Sequence, residues 1–325
     1  MQYRDFSKKI ASGDIGGAYV MLGDEEFICK SLLDALKRSI EMDFADMNYT
    51  TLENPSAQEI VEACEMLPFF AETRIVQVMR SKYFGATKDD KELLSLLEYI
   101  PKIPRSTCLI FAGQKIDKRK AGYKELIKVL ASIDCSVSND NERIGIVCSM
   151  TRKKGGEIER AAAQQLIESV GKDLFALSHE IDKLLSITTT ITTQDIKKYV
   201  TPSVESDVFR MMDAFETKRM EQGYDILEKM LIGGRRAPEI IGAIAHRFRT
   251  IAQVKEMGEK GQAKNVGKVL GSSYAIKKAD AAKNRYTMKE LTFYLQTLLL
   301  VDHGVKTGKV KENDGLVQLI AKIYG

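Results

Sequence analysis

A chain of 325 residues is too long for one compact helical domain and predicts two or three domains. Apolar residues make up 44% and charged residues 29%, an ordinary soluble composition, and no apolar run approaches the ~20 residues of a membrane helix, so no membrane role is expected. The net charge of +4 is uneven: residues 1–138 hold 19 basic and 21 acidic side chains, residues 139–207 hold 9 and 11, and residues 208–325 hold 21 and 13. The basic last third suits a solvated helical surface or an acidic partner such as nucleic acid.

The opening stretch, MQYRDFSKKIASGDIGG, has no apolar signal-peptide core, and a cytoplasmic location is expected. Strand-like runs follow at Ala18–Leu22, Arg74–Met79, Thr107–Ala112 and Asp134–Val137. Helical patterns fill the intervals: Phe27–Ile40, a helix capped by Ser56 and running through Cys64, Lys91–Tyr99 and Lys120–Ala131. Strands alternating with helices of this length predict a parallel sheet covered on both faces, an α/β domain over residues 1–138.

From about Glu142 the strand signal vanishes. Glu157–Val170 and Leu174–Ser186 read as helices, and ITTQDIKKYV as a short helix with Thr192 or Thr193 at its N-cap. These predict a small helical domain over 139–207, with Pro202 opening a linker. Helical periodicity continues at Val208–Phe215, Met220–Leu231, Pro238–Gly258, Ala263–Leu270, Tyr274–Asn284 and Met288–Lys306, predicting a second helical domain over 208–325. The fold class expected is therefore α/β plus all-α.

Few residues offer chemistry. Cys29, Cys64, Cys108, Cys135 and Cys148 are never closer than thirteen positions, which excludes CxxC zinc or redox sites. They read as small buried hydrophobes. His179, His246 and His303 are scattered along helical patterns, and no metal site, nucleophile elbow or kinase motif set appears. The stretch VMLGDEEFICKSLLDAL carries Lys30 and Ser31 where a phosphate-binding loop keeps its Lys-Ser/Thr pair. That alignment puts Asp24 and Cys29 in place of both glycines, and Asp24, Glu25 and Glu26 set three carboxylates where phosphate would sit. The strands RIVQVM and TCLIFA end in Met79-Arg80 and Gly113-Gln114, which cannot hold Mg²⁺. The pattern is a nucleotide-binding architecture with a degenerate site.

The order of features resembles one family, the delta subunit of the bacterial DNA polymerase III clamp loader. The likeness runs through YVMLGDEEF, LPFFAETRIVQV and CLIFAGQKIDKRKAGYKEL, then VGKDLFALSHEIDKLL and ITTQDIKKYV, then DVFRMMDAF, GGRRAPEIIGAIAHRFRTIAQVK and DHGVKTGK. It implies an AAA+-like P-loop-type α/β domain at 1–138, a helical lid at 139–207 and a helical collar for oligomerisation at 208–325. The implied role is a non-catalytic part of the polymerase III holoenzyme, a nucleotidyltransferase assembly. Such a subunit binds the sliding clamp and opens it, within a hetero-oligomer of ATP-hydrolysing and delta-prime-type subunits acting on primed DNA. No catalytic residue, cofactor or metal is expected on this chain.

The family's clamp contact falls on Leu67, Pro68, Phe69 and Phe70. Pro68 keeps Leu67 extended, so the chain turns there instead of continuing the preceding helix. Composition alone favours MLPFF as a plug in its own domain's core, and the resemblance reverses that preference. Two basic clusters could touch DNA phosphates or an acidic neighbour, or simply be solvated: Lys115, Lys118, Arg119 and Lys120, and a mobile loop at Arg152, Lys153 and Lys154 before Gly155-Gly156. Neither carries an RNA-binding aromatic motif or zinc finger, so any DNA contact would be to the backbone and salt-sensitive. Two other classes stay open on the residues: an active P-loop NTPase or kinase, and a freestanding helical nucleic-acid-binding protein.

Overall fold

The computed structural model describes residues 1–40, 44–113, 116–259 and 273–324. The chain divides into two compact units, Met1–Val137 and Ser138–Gly325. The first alternates as expected: α1 (Tyr3–Ser12), β1 (Gly17–Leu22), α2 (Glu26–Arg38), α3 (Ala45–Asn48), β2 (Tyr49–Glu53), α4 (Ala57–Glu65), β3 (Arg74–Met79), α5 (Lys91–Tyr99), β4 (Thr107–Ala112), α6 (Ala121–Val129) and β5 (Ala131–Asp134).

Among the described residues these strands form one parallel sheet in the order β2-β3-β4-β1-β5. Tyr49 pairs with Ile75, Val76 with Leu109, Val20 with Phe111, and Leu22 with Asp134. Every residue of β4 is buried, as a central strand covered on both faces requires. The final strand begins three residues earlier than Asp134–Val137. Leu130 leaves α6 in an extended conformation and the strand starts at once, while buried Ile133 and Cys135 continue an alternation past its end. The edge strand β2 was not expected, because its residues are only partly buried and show no apolar run.

The second unit holds α7 (Asp140–Lys153), β6 (Glu157–Ile158), α8 (Arg160–Val170), α9 (Leu174–Leu185), β7 (Thr190–Ile191), α10 (Thr193–Tyr199), α11 (Val204–Glu216), α12 (Met220–Ile232), α13 (Ala237–Glu259), α14 (Ser273–Ala282), α15 (Met288–Lys306) and α16 (Glu312–Tyr324). The helix expected at Ala263–Leu270 lies outside the described residues. Two corrections apply here. The expected absence of strand beyond Glu142 is broken by β6 and β7, which pair Ile158 with Ile191 in parallel; two residues leave no periodicity to read. The helix expected from Glu157 starts at Arg160 for the same reason.

Helices α11–α16 share one hydrophobic core, with Met211, Phe215, Ile244, Phe248, Leu298 and Leu316 at or near full burial. One polar network crosses it. The buried Arg247 guanidinium donates to Asp213 at 2.7 Å, to Glu216 at 2.9 Å and to the Phe209 carbonyl at 2.8 Å, and Glu216 also accepts from the Tyr286 hydroxyl at 2.7 Å and pairs with Arg285. A buried charge with this many partners costs little to keep and much to break.

Candidate functional site

Gly23, Asp24 and Glu25 alone join β1 to α2. Gly23 has φ of +129°, and a β-carbon there would stand 2.7 Å from backbone atoms of Cys135 and Ser136. The Cys135 N–H donates to the Leu22 carbonyl at 2.6 Å, so the chain leaving β5 closes over the end of β1. Lys30 and Ser31 lie in the second turn of α2, one turn beyond the N-terminus that Glu25 and Glu26 occupy. A three-residue turn cannot wrap a series of N–H groups around phosphates as a glycine-rich loop does. The carboxylates suit the helix dipole and repel a polyanion.

The LPFF segment sits between α4 and β3. Helix α4 begins at a capping box, with the Ser56 hydroxyl accepting from the Glu59 N–H and the Glu59 carboxylate accepting from the Ser56 N–H at 2.7 Å. It ends at Glu65, where Met66 turns extended. Side chains from the neighbouring strands meet its last carbonyls: Arg74 Nε donates to Ala63 at 3.0 Å and Thr107 Oγ1 to Cys64 at 2.9 Å. Arg74 also donates to the Met47 carbonyl at 2.7 Å and to Thr50 Oγ1 at 2.8 Å, tying β3 to β2 and to the segment before it.

The loop itself is braced from that segment. Asn48 is fully buried; its amide oxygen accepts from the Phe69 N–H at 2.7 Å, and its amide nitrogen donates to the carbonyls of Phe69 at 2.7 Å and Phe44 at 3.1 Å. Phe70 is held at φ +47°, a left-handed conformation that costs a residue with a β-carbon about 1 kcal/mol. The rings of Phe69 and Phe70 meet edge to face with centroids 4.7 Å apart, and the Phe44 ring lies 5.9 and 5.5 Å from them.

These side chains are not a core plug. Leu67 is 83% exposed, Phe70 76% and Phe69 45%, with Met47 and Met66 also exposed and Pro68 half-buried. A cluster of large apolar groups kept in water by a braced, partly strained backbone has the character of a docking surface.

The basic clusters are arranged differently. Lys118, Arg119 and Lys120 are exposed in the turn before α6, and Lys115 lies outside the described residues. The Arg119 guanidinium, 3.0 Å from Asp117, holds that carboxyl down to about 2 and is itself partly neutralised by it. The mobile basic loop expected at Arg152–Lys154 is corrected: Arg152 and Lys153 form the last turn of α7, and Lys154 caps it. Lys154 bridges to the Asp182 carboxylate at 2.5 Å and the Ser178 carbonyl at 3.2 Å. The glycines that suggested mobility serve the helix end: Gly155 takes φ +84°, and a β-carbon on Gly156 would strike Leu185 at 2.2 Å. The two clusters lie in different compact units.

Sequence reading did not find Asn48, Phe44, Met47 or Arg74. Phe44 and Asn48 stand more than twenty residues before Phe69, in a segment without periodicity, and only the cation at the head of the apolar run RIVQVM hints that a carbonyl cluster awaits it.

Residues 19–138 match the family profile described as DNA polymerase III, delta subunit, and residues 205–323 match the profile of the DNA polymerase III delta subunit, C-terminal domain. The DNA polymerase III subunit delta of Bacillus subtilis (strain 168) is 24% identical over 331 aligned positions, covering 97% of this chain and 94% of that protein. The probable DNA polymerase III subunit delta of Aquifex aeolicus (strain VF5) is 24% identical over 259, covering 75% and 72%. Among solved structures, the Bacillus subtilis DNA clamp loader delta protein superposes with a TM-score of 0.77 at 21% identity over 99% of both chains, which shows a shared fold.

Proposed function

Because the chain belongs to the family of DNA polymerase III delta subunits, we propose that it is the non-catalytic clamp-loader subunit that binds the sliding clamp and opens it for loading onto primed DNA. The observation that carries this reading is the braced aromatic loop, with Leu67, Phe69 and Phe70 presented to solvent beside Pro68. Burying each aromatic ring in a clamp pocket would contribute roughly 1.5–3 kcal/mol before ordering costs, and a loop already fixed in place keeps those costs small. Opening follows if the surface binds the sprung ring more tightly than the closed one, since a ligand shifts an equilibrium only by its differential affinity.

The three-residue turn after β1 and the carboxylates at the start of α2 support a subunit without ATPase chemistry, so that ATP hydrolysis belongs to other subunits of a hetero-oligomer that also holds a delta-prime-type subunit. A lid over 139–207 and a collar over 208–325 are part of the proposal. The single core shared by α11–α16 supports the collar as a packing module for equivalent helical domains. Lys118 and Lys120 remain candidates for phosphate contacts; Lys154 is engaged within its own unit. A cytoplasmic location goes with the replication role; among the described residues no helix is long and apolar enough to cross a membrane.

Titrating the purified chain with the sliding clamp of the same organism, with and without Mg-ATP, tests the reading. Binding of the same strength in both conditions is expected. Failure to bind the clamp, or tight ATP binding by the isolated chain, would overturn it in favour of another class.

A further inference from the structure

The LPFF loop is half of a surface. Its other half is the segment Phe44–Asn48, which reaches it through one buried side chain. A carboxamide has one acceptor oxygen and two N–H donors. Asn48 uses the oxygen on the Phe69 N–H, one donor on the Phe69 carbonyl and the other on the Phe44 carbonyl. Reversing the amide would set N–H against N–H, so the three bonds fix its orientation. Asn48 thus pairs with the loop as a neighbouring strand would, and it does so from the residue immediately before β2, whose Tyr49 is in register with Ile75 of the sheet. The Phe44 ring packs 5.5 Å from the most exposed aromatic of the loop, and the carbonyl of Met47 is pinned by Arg74.

We propose that Asn48 is the positioning residue of a two-segment docking surface, holding Phe69 and Phe70 in their presented conformation, and that Phe44 extends that surface on the side of β2. This rests on the clamp-docking reading above. Without the carboxamide, the Phe69 backbone groups turn to water, the left-handed conformation at Phe70 loses its support, and the loop must be ordered again at each encounter.

The test is a mutant cycle against the sliding clamp: wild type, Asn48→Ala, Phe69→Ala with Phe70→Ala, and the triple change. Asn48→Ala is expected to weaken binding on the order of 10-fold in the wild-type background and to change nothing where both rings are already absent. Hydrogen exchange at the Phe69 amide should speed up in the same variant. Equal losses in both backgrounds, or an unchanged affinity or exchange rate, would overturn the positioning role. Wild-type affinity in the Phe69→Ala, Phe70→Ala protein would instead refute the docking reading itself, whatever Asn48 does. If Asn48→Ala does not fold, Phe44→Ala decides: a several-fold loss of affinity with unchanged melting supports the two-segment surface, and wild-type affinity overturns it.

Discussion

Cys64 and Cys108 lie buried at the end of α4 and within β4, and burial pushes both thiols up to about 12 from 9.0. Cys29, half-buried in the first turn of α2, moves the other way, because the neighbouring Cys135 thiol favours its thiolate. Only the thiolate reacts, so alkylation of the folded protein near pH 8 should modify Cys29 well before Cys64 or Cys108. Mass spectrometry of a time course would read this, and Cys64 labelling as fast as Cys29 would count against it. The raised thiols also set a sign for stability. Their folded pKa lies above the unfolded value, so their contribution is fully present below about pH 9 and is lost as the pH climbs toward 12. Tyr49, raised to about 12 by burial, acts in the same direction from its ordinary 10.0. Melting temperature should hold from neutral pH up to pH 9 and fall above it.

At the scale of elements, α4 matters most, because its C-terminal end launches the LPFF loop of the proposed clamp contact. Its start depends on the Ser56–Glu59 box, and Ser56→Ala should lower stability by about 1 kcal/mol in denaturant titration. No measurable loss would mean that tertiary packing alone holds the helix. This start was legible from Ser56, and β3, β4, α5 and α15 ran as their patterns predict, because each couples clean periodicity to a cap or a turn. Helix α7 was not legible. Its buried positions include Arg143 and Thr151, which break the apolar stripe. Helix α16 did carry a stripe at Leu316, Leu319, Ile320 and Ile323, with Gly315 in its first turn obscuring the start. In the candidate site, the proline after a helix marked the turn at Leu67 to Phe70, while their role as a contact came from the family resemblance. Asn48 could not, because a buried amide bonded to backbone twenty-one residues away leaves no local pattern.

For the whole molecule, the uneven charge and the division of labour agree. The acidic first unit has a parallel sheet and an exposed apolar loop proposed to dock on the clamp, and the excess of basic residues falls in the helical segment 208–325, the proposed collar. In the first unit the strand order is β2-β3-β4-β1-β5, and three residues join β1 to α2. The proposed function is binding, and the account stands or falls on where. The measurement that decides it is clamp affinity and thermal unfolding on one protein, Phe69→Ala with Phe70→Ala. Removal of two aromatic anchors should lower affinity on the order of 10²-fold or more while melting stays close to wild type, since both rings stand in solvent. Retained affinity, or a collapse of the melting temperature that marks the rings as core, would contradict the account.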